Sequence, residues 1–273
     1  MADWLQWPGR VWRICATALA FACFGIGGTL LRLVVFPLQA LLLRDAARRQ
    51  QAARQVVQTV FRLFIGWLRL LGLIRYEVRG VEKLQRRGLL ILANHPTLID
   101  VVFLIGAVPN ATCVVKSTLA THPCTRGPVR ATGYICNNPG SDLLLACTAT
   151  LAAGGNLIIF PEGSRSQPGQ ALKMQRGAAQ IALRGGLDIT PVRIHCEPLG
   201  LYKGQPWWAV AKHPLCFTIE VGDDLPSALA LQAAGGEHGR AARRLTESLI
   251  QFFSEPSGSP KAITKGSHAS AGT

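Results

Sequence analysis

Apolar and charged positions are unevenly spread along the 273-residue chain, and the unevenness divides it into three parts. Residues 14–31 are uncharged and apolar apart from two threonines, with Arg13 and Arg32 as flanks. About 18 apolar residues is the lower limit for crossing a bilayer. A second apolar run at 33–43 (LVVFPLQALLL) is broken by Pro37. Two arrangements satisfy residues 14–43: one spanning helix, or a helical hairpin embedded in one leaflet with Arg32 near its turn. A cleaved signal peptide is not expected, because no small-x-small site stands out and basic residues continue after the apolar run. From 45 to 74 the period becomes helical. Val57, Val60, Phe61, Phe64, Trp67, Leu68 and Leu71 recur at three- and four-residue steps, with Gln58, Arg62 and Arg69 on the other side. Such a basic amphipathic helix suits a membrane interface or the surface of a neighbouring domain.

Beyond residue 75 the pattern changes to short apolar runs separated by helical stretches. Strands are expected at 76–81, 89–93, 113–116, 134–136, 157–160, 189–194, 208–210 and 217–221, and helices at about 100–105, 141–153, 174–184 and 239–253. This alternation predicts an α/β fold, a mixed sheet flanked by helices, over 76–253, behind a membrane-anchoring part at 1–75. The tail, 254–273, is small and polar and is expected to be disordered.

Composition narrows the partners. The net charge is +14 and the pI about 10.1, which calls for an acidic surface or ligand: nucleic acid, anionic phospholipid, coenzyme A or acyl-carrier protein. Arg44, Arg48, Arg49, Arg54, Arg62, Arg69 and Arg75 follow directly on the apolar runs, the placement of a segment beside an anionic membrane surface. No nucleic-acid reading motif accompanies them, and no nucleic-acid partner is expected. Arginine is denser after the apolar span than before it, so the remainder of the chain is expected to face the cytoplasm. The eight cysteines are scattered with no C-x-x-C pair, which fits a reducing compartment better than a disulfide framework.

Two segments carry candidate chemistry. The strand expected at 89–93 ends at Asn94-His95, with Asp100 five residues beyond the histidine. Histidine is a general base near neutral pH, and a carboxylate on its other ring nitrogen fixes the tautomer and stabilises the imidazolium. The second segment, Phe160-Pro161-Glu162-Gly163-Ser164-Arg165-Ser166, also follows an apolar strand. Glycine permits close backbone approach, serine offers a hydroxyl and arginine grips phosphate; a phosphate cradle and an ordinary polar turn are both consistent with it. Lys173 and Arg176 add charge nearby. His195-Cys196-Glu197 has no second ligand at metal spacing, so a structural role is expected and no metal or cofactor is implied. His122 and His213 precede prolines and read as loop residues. Trp207-Trp208 suit either an interfacial anchor or burial in the sheet. Cys113, Cys136 and Cys147 lack adjacent basic residues that would make a reactive thiolate.

Together, N-H-x-x-x-x-D at 94–100 and F-P-E-G-S-R-S at 160–166 resemble the 1-acylglycerol-3-phosphate acyltransferase (PlsC-like) family of glycerolipid acyltransferases. Lys116 through Gly133-Tyr134-Ile135 resembles its acceptor-binding block, and Ile189-Thr190-Pro191-Val192 its short apolar-proline block. The resemblance spans roughly residues 76–194. It implies direct acyl transfer from an acyl thioester (acyl-CoA or acyl-carrier protein) to a lysophospholipid hydroxyl, without an acyl-enzyme. His95 would take the hydroxyl proton and Asp100 would orient His95. Gly163, Ser164 and Arg165 would hold the acceptor phosphate, Glu162 would shape that loop, and Asn94, Lys116 and Gly133 would complete the substrate site. The absence of a G-x-S-x-G nucleophile elbow agrees with this. One departure stands out: Asn137-Asn138 replaces the acidic residue and arginine that usually close the acceptor block. That leaves open an acceptor other than 1-acylglycerol-3-phosphate, such as an amino-acid lipid, a glycolipid or another lysophospholipid. A non-catalytic membrane-binding protein is the reading from a different class.

Overall fold

A computed structural model of the protein describes residues 7–137 and 143–255. Asn138, the first two residues of the helix expected at 141–153, and 256–273 of the expected tail lie outside the described residues.

Among the described residues, seven strands form one mixed sheet: β1 (Ile74–Arg79), β2 (Leu90–Ala93), β3 (Ala111–Lys116), β4 (Ile135–Asn137), β5 (Asn156–Ile159), β6 (Ile189–Glu197) and β7 (Leu215–Val221), in the order β1-β7-β6-β2-β5-β3-β4. β6, β2, β5, β3 and β4 run parallel, whereas β7 is antiparallel to β6 and parallel to β1. The parallel strands need crossovers. α4 (Asp100–Ala107) links β2 to β3, α5 (Ser117–Thr121) and α6 (Arg126–Thr132) link β3 to β4, α7 (Leu143–Ala152) leads to β5, and α8 (Gly177–Gly185) leads to β6. α9 (Ser227–Ala233) and α10 (His238–Ser254) follow β7. Strand alternation sorts the core into two layers. Ile91, Ala93, Cys113 and Ile194 pack with α4 on one face, while Leu90, Leu92, Leu157 and Ile159 pack with α7, α8 and α10 on the other.

β5 enters between β2 and β3, and a buried side chain secures its start. Asn156 accepts from Leu89 N (2.9 Å) and donates to the carbonyls of Arg86 (2.9 Å) and Pro109 (2.8 Å), tying together the leads into three strands.

The N-terminal part is a helical pair. α1 (Trp7–Leu30) continues through a π-helical turn (Leu31–Val35) into α2 (Phe36–Leu42), and α3 (Ala46–Leu70) returns alongside. The continuous helix through Arg32 corrects the expectation of a hairpin turn there; the chain reverses at residues 43–45 instead. Pro37 explains the π turn: proline lacks an N–H and crowds the carbonyl four residues back, so the ladder opens and Phe36 N bonds Leu31 O. Asp45 caps α3 by accepting from Arg48 N at 2.7 Å.

α3 also corrects the expected orientation of its polar side. Gln58 and Arg62 face the sheet domain, where they reach the Gly106 carbonyl at the end of α4 (3.5 and 2.6 Å), and Arg54 reaches the Thr132 carbonyl at 2.9 Å. Helix C-termini present unpaired carbonyls, and these cations take them. The strand expected at 208–210 is absent. Both edges of β7 are already occupied by β6 and β1, and the segment lies against α1 instead, with Arg13 Nε donating to Ala211 O at 3.1 Å.

Candidate active site

The C-terminal ends of the parallel strands share one edge of the sheet, the place where open α/β sheets hold ligands. The chain leaves β2 at Asn94. Its side chain continues the ladder with β6, donating to Ile194 O at 2.8 Å and accepting from Ile194 N at 2.7 Å. His95 follows, and its Nδ1 lies 2.9 Å from Asp100 Oδ2. Asp100 is fully buried at the first turn of α4, where the helix dipole favours a carboxylate. Thr97 satisfies it twice more, through its N–H (2.6 Å) and its hydroxyl (2.5 Å). Burial raises the Asp100 carboxyl above its ordinary range, and the His95 and Thr97 hydrogen bonds oppose that rise. The His95 side chain retains 18% exposure, so a substrate can reach it. With Nδ1–H donated to the carboxylate, Nε2 is the free lone pair.

The loop after β5 locks onto this turn. Glu162 accepts from His95 N (2.7 Å) and from the Ser166 hydroxyl (2.7 Å), and Ser166 N donates to His95 O (2.8 Å). Burial raises the Glu162 carboxyl, against those hydrogen bonds. Phe160 stacks on the imidazole with centroids 4.3 Å apart. Gly163 sits at φ +68°, and a Cβ there would lie 2.6 Å from Gln175 Nε2. Ser164 makes one long contact, to Arg165 O at 3.5 Å. Arg165 donates to the carbonyls of Leu201 (2.9 Å) and Tyr202 (3.2 Å), and Leu201 O also accepts from Leu98 N (3.0 Å). Leu201 thus bridges both segments from a left-handed conformation, φ +57°, costing on the order of 1 kcal/mol for a branched residue.

Asn94, His95, Asp100 and the 162–165 loop are therefore neighbours. Lys116 lies at the same sheet edge, exposed at the end of β3. Gly133 lies toward the other edge: it closes α6 at φ +65° against Gln50 of α3. Thr97, Phe160 as a stacking partner and Leu201 were missed in the sequence reading. Thr97 was findable, since Thr-x-x-Asp is a helix-start signature; Leu201 lies too far along the chain to announce itself. Burial pushes the Cys113 thiol up to about 12 and Cys147 up to about 11, away from thiolate chemistry.

An apolar cavity of about 360 Å³ adjoins this region, lined by Leu98 and Ile99, which lie between His95 and Asp100 in the chain, and by Leu201. It runs between α1, α3 and α4, past Phe24, Phe61 and Val102.

The family model described as Acyltransferase matches residues 75–195, a stretch that contains both loops. The match resembles the PlsC-like family of 1-acylglycerol-3-phosphate acyltransferases. Among its relatives, the 1-acyl-sn-glycerol-3-phosphate acyltransferase of Pseudomonas aeruginosa is 29% identical over 208 residues, 74% of this chain and 76% of that protein. The protein of the same name from Helicobacter pylori is 31% identical over 42% of this chain and 55% of its own length. A lyso-ornithine lipid O-acyltransferase of P. aeruginosa is 31% identical over 53% of this chain and 57% of its own. Thus the match spans about three quarters of the first relative and little more than half of the other two. The crystal structure of PlsC from Thermotoga maritima shares the fold, with a TM-score of 0.65, 19% identity, and coverage of 90% of this chain and 100% of that one. The Acyltransferase match and the relatives' names support a glycerolipid O-acyltransferase, and the apolar N-terminal helix agrees with membrane association.

Proposed function

We propose that the protein transfers an acyl group from acyl-CoA or acyl-carrier protein to 1-acylglycerol-3-phosphate, giving phosphatidic acid, with His95 as general base. The observation that carries this reading is the fully buried Asp100 held 2.9 Å from His95 Nδ1, which leaves Nε2 to act. The acceptor O–H gives its proton to Nε2 as its oxygen attacks the thioester carbonyl. The C–S bond then breaks, and the departing thiolate takes the proton from the imidazolium. Asp100 balances the imidazolium charge throughout. Gly163, Ser164 and Arg165 hold the acceptor phosphate, Glu162 fixes their loop against His95, and Lys116 draws the anionic substrates to the sheet edge. The apolar cavity receives an acyl chain, since Leu98, Ile99 and Leu201 beside the His95–Asp100 turn line it.

The division at residue 75, with residues 76–253 as the catalytic part, belongs to the same proposal, and so does its attachment to an anionic, cytoplasm-facing leaflet. α1 and the π turn touch the sheet domain from Arg13, bonded to Ala211 O, to Arg32, bonded to Pro123 O. At about 1.5 Å per residue that contact is roughly 30 Å long. A helix crossing a bilayer beside an external domain would meet it only near one end, so α1 and α2 lie embedded in one leaflet with α3 on the domain side.

His95→Ala is expected to lose roughly 10²–10⁴-fold in transfer rate while still binding membranes; undiminished turnover would sink the assignment. A second reading changes only the acceptor. It is favoured by Asn137-Asn138, where the family usually has an acidic residue and an arginine, and by the lyso-ornithine lipid relative. An assay crossing both carriers with 1-acylglycerol-3-phosphate, lyso-ornithine lipid and other lysolipids decides between them: the preferred reading requires 1-acylglycerol-3-phosphate to be the fastest acceptor.

A further inference from the structure

We infer that the 200–213 segment is a membrane-facing door of the apolar cavity: its tryptophans sit in the lipid–water interface, and lipid chains enter sideways between Phe21 and Trp207. The inference rests on the acyl-chain reading of the cavity.

Trp207 and Trp208 are 44% and 57% exposed and stand perpendicular, 5.7 Å between centroids. Indole is an amphipathic ring whose preferred seat is the headgroup level of a bilayer. The pair does not stand alone. Trp207 meets Phe21 of α1 edge-on at 6.5 Å, which joins the segment to a helix that also exposes Trp12, Leu19 and Ile26. An exposed apolar area of this extent marks an interaction surface. Lys203 and Lys212 of the same segment are exposed on either side of the tryptophans, where anionic headgroups would sit. Charge and apolar surface together identify the partner as an anionic lipid bilayer rather than a protein groove.

Phe21 and Trp207 also line the cavity, one from each wall. α1 satisfies its own backbone hydrogen bonds and lends none to the segment. Among the described residues, the seam is held by that ring contact and by Arg13 Nε to Ala211 O. It can part without breaking a strand ladder. The far end of the segment is fixed, because Leu201 O is held by Leu98 N and by Arg165. Gly204, at φ +89°, lies between the fixed end and the tryptophans, where the chain can turn. The door therefore opens at the tryptophan end while the site end stays in register.

The test uses the full-length enzyme carrying Phe21→Cys and Trp207→Cys, with the exposed Cys15 and Cys216 replaced by serine, in phosphatidylglycerol–phosphatidylcholine vesicles. A short bismaleimide joins the two new thiols. The linked enzyme is expected to lose about 10-fold or more of its transfer onto a long-chain vesicle-borne acceptor, while keeping transfer between short-chain, water-soluble substrates. An unchanged long-chain rate overturns the inference, and so does an equal loss of both rates. Failure of the unlinked enzyme on every substrate would count against the acyl-transfer reading itself. In parallel, a Trp207→Phe, Trp208→Phe variant should lose part of the quenching of protein fluorescence by brominated phosphatidylcholine. Identical quenching would overturn the interfacial seat.

Discussion

Asp100 combines two demands that ordinarily conflict: full burial and a negative charge. Its neighbours reconcile them, since Thr97 and His95 supply three donors to its two oxygens. Asp100→Asn would keep the shape but present an amide N–H to Nδ1, moving the imidazole proton to Nε2 where the base is needed. Transfer should fall by roughly 10²–10⁴-fold with melting temperature little changed, read by parallel kinetic and thermal measurements. Glu162 makes a different prediction. Its folded carboxyl titrates above the ordinary range, so in that window the folded chain holds a proton that the unfolded chain releases. Stability from this group is therefore present below the ordinary value and lost as pH rises through the raised one. Glu162→Gln should flatten the decline in melting temperature across mildly acidic pH; an unchanged slope would assign the decline to other groups. His95, Asp100 and Glu162 were legible in the sequence because each stands next to a strand end in a recognisable string of residues. Leu201 was not, because a carbonyl that bridges two loops leaves no mark on its own side chain.

At the scale of elements, strands were legible wherever they are buried on both faces. β2 is an uninterrupted apolar run and β5 one after Asn156, and uninterrupted burial writes itself into composition. The run at 208–210 is equally apolar and misled for that reason: Trp208 faces solvent, and Ala209 and Val210 line the apolar cavity rather than a neighbouring strand. α5, α6 and α9 were missed because each is seven residues or fewer, too short to show a period. The polar side of α3 was misplaced because a cation bound to a helix-end carbonyl looks, in sequence, like one bound to water. Two substitutions check these contacts. Gly133→Ala should destabilise by more than about 1 kcal/mol, since φ +65° disfavours a side chain and the new methyl would collide with Gln50. Pro37→Ala restores an N–H that the π turn lacks. The helix from α1 to α2 should regularise, rotating Gln39 out of its place against α3, a change that chemical cross-linking between α2 and α3 would report.

For the whole molecule, attachment to the bilayer should be more apolar than electrostatic. Leu33, Leu41 and Leu42 are 62%, 78% and 70% exposed along the N-terminal helices, an outward stripe that water would not support alone. Vesicle flotation should therefore slow in onset but not release the enzyme at roughly 1 M salt, a concentration that screens surface charge within about 3 Å. Complete release would mean that the arginines, not the leucines, hold it. The insertion of β5 has a consequence for how the chain reaches this state. β2 and β3 leave the ribosome well before the strand that belongs between them, and neither can settle beside the other without closing that slot. Asn156 makes the requirement strict, because its amide is satisfied only when the leads to β2 and β3 are both in place. Closure of the sheet is thus a late, long-range event, slow in the way that non-local pairings are slow. Until it happens the nascent chain carries an exposed apolar helix and an unfilled sheet, so insertion of its N-terminus into the membrane during synthesis would protect it from aggregation.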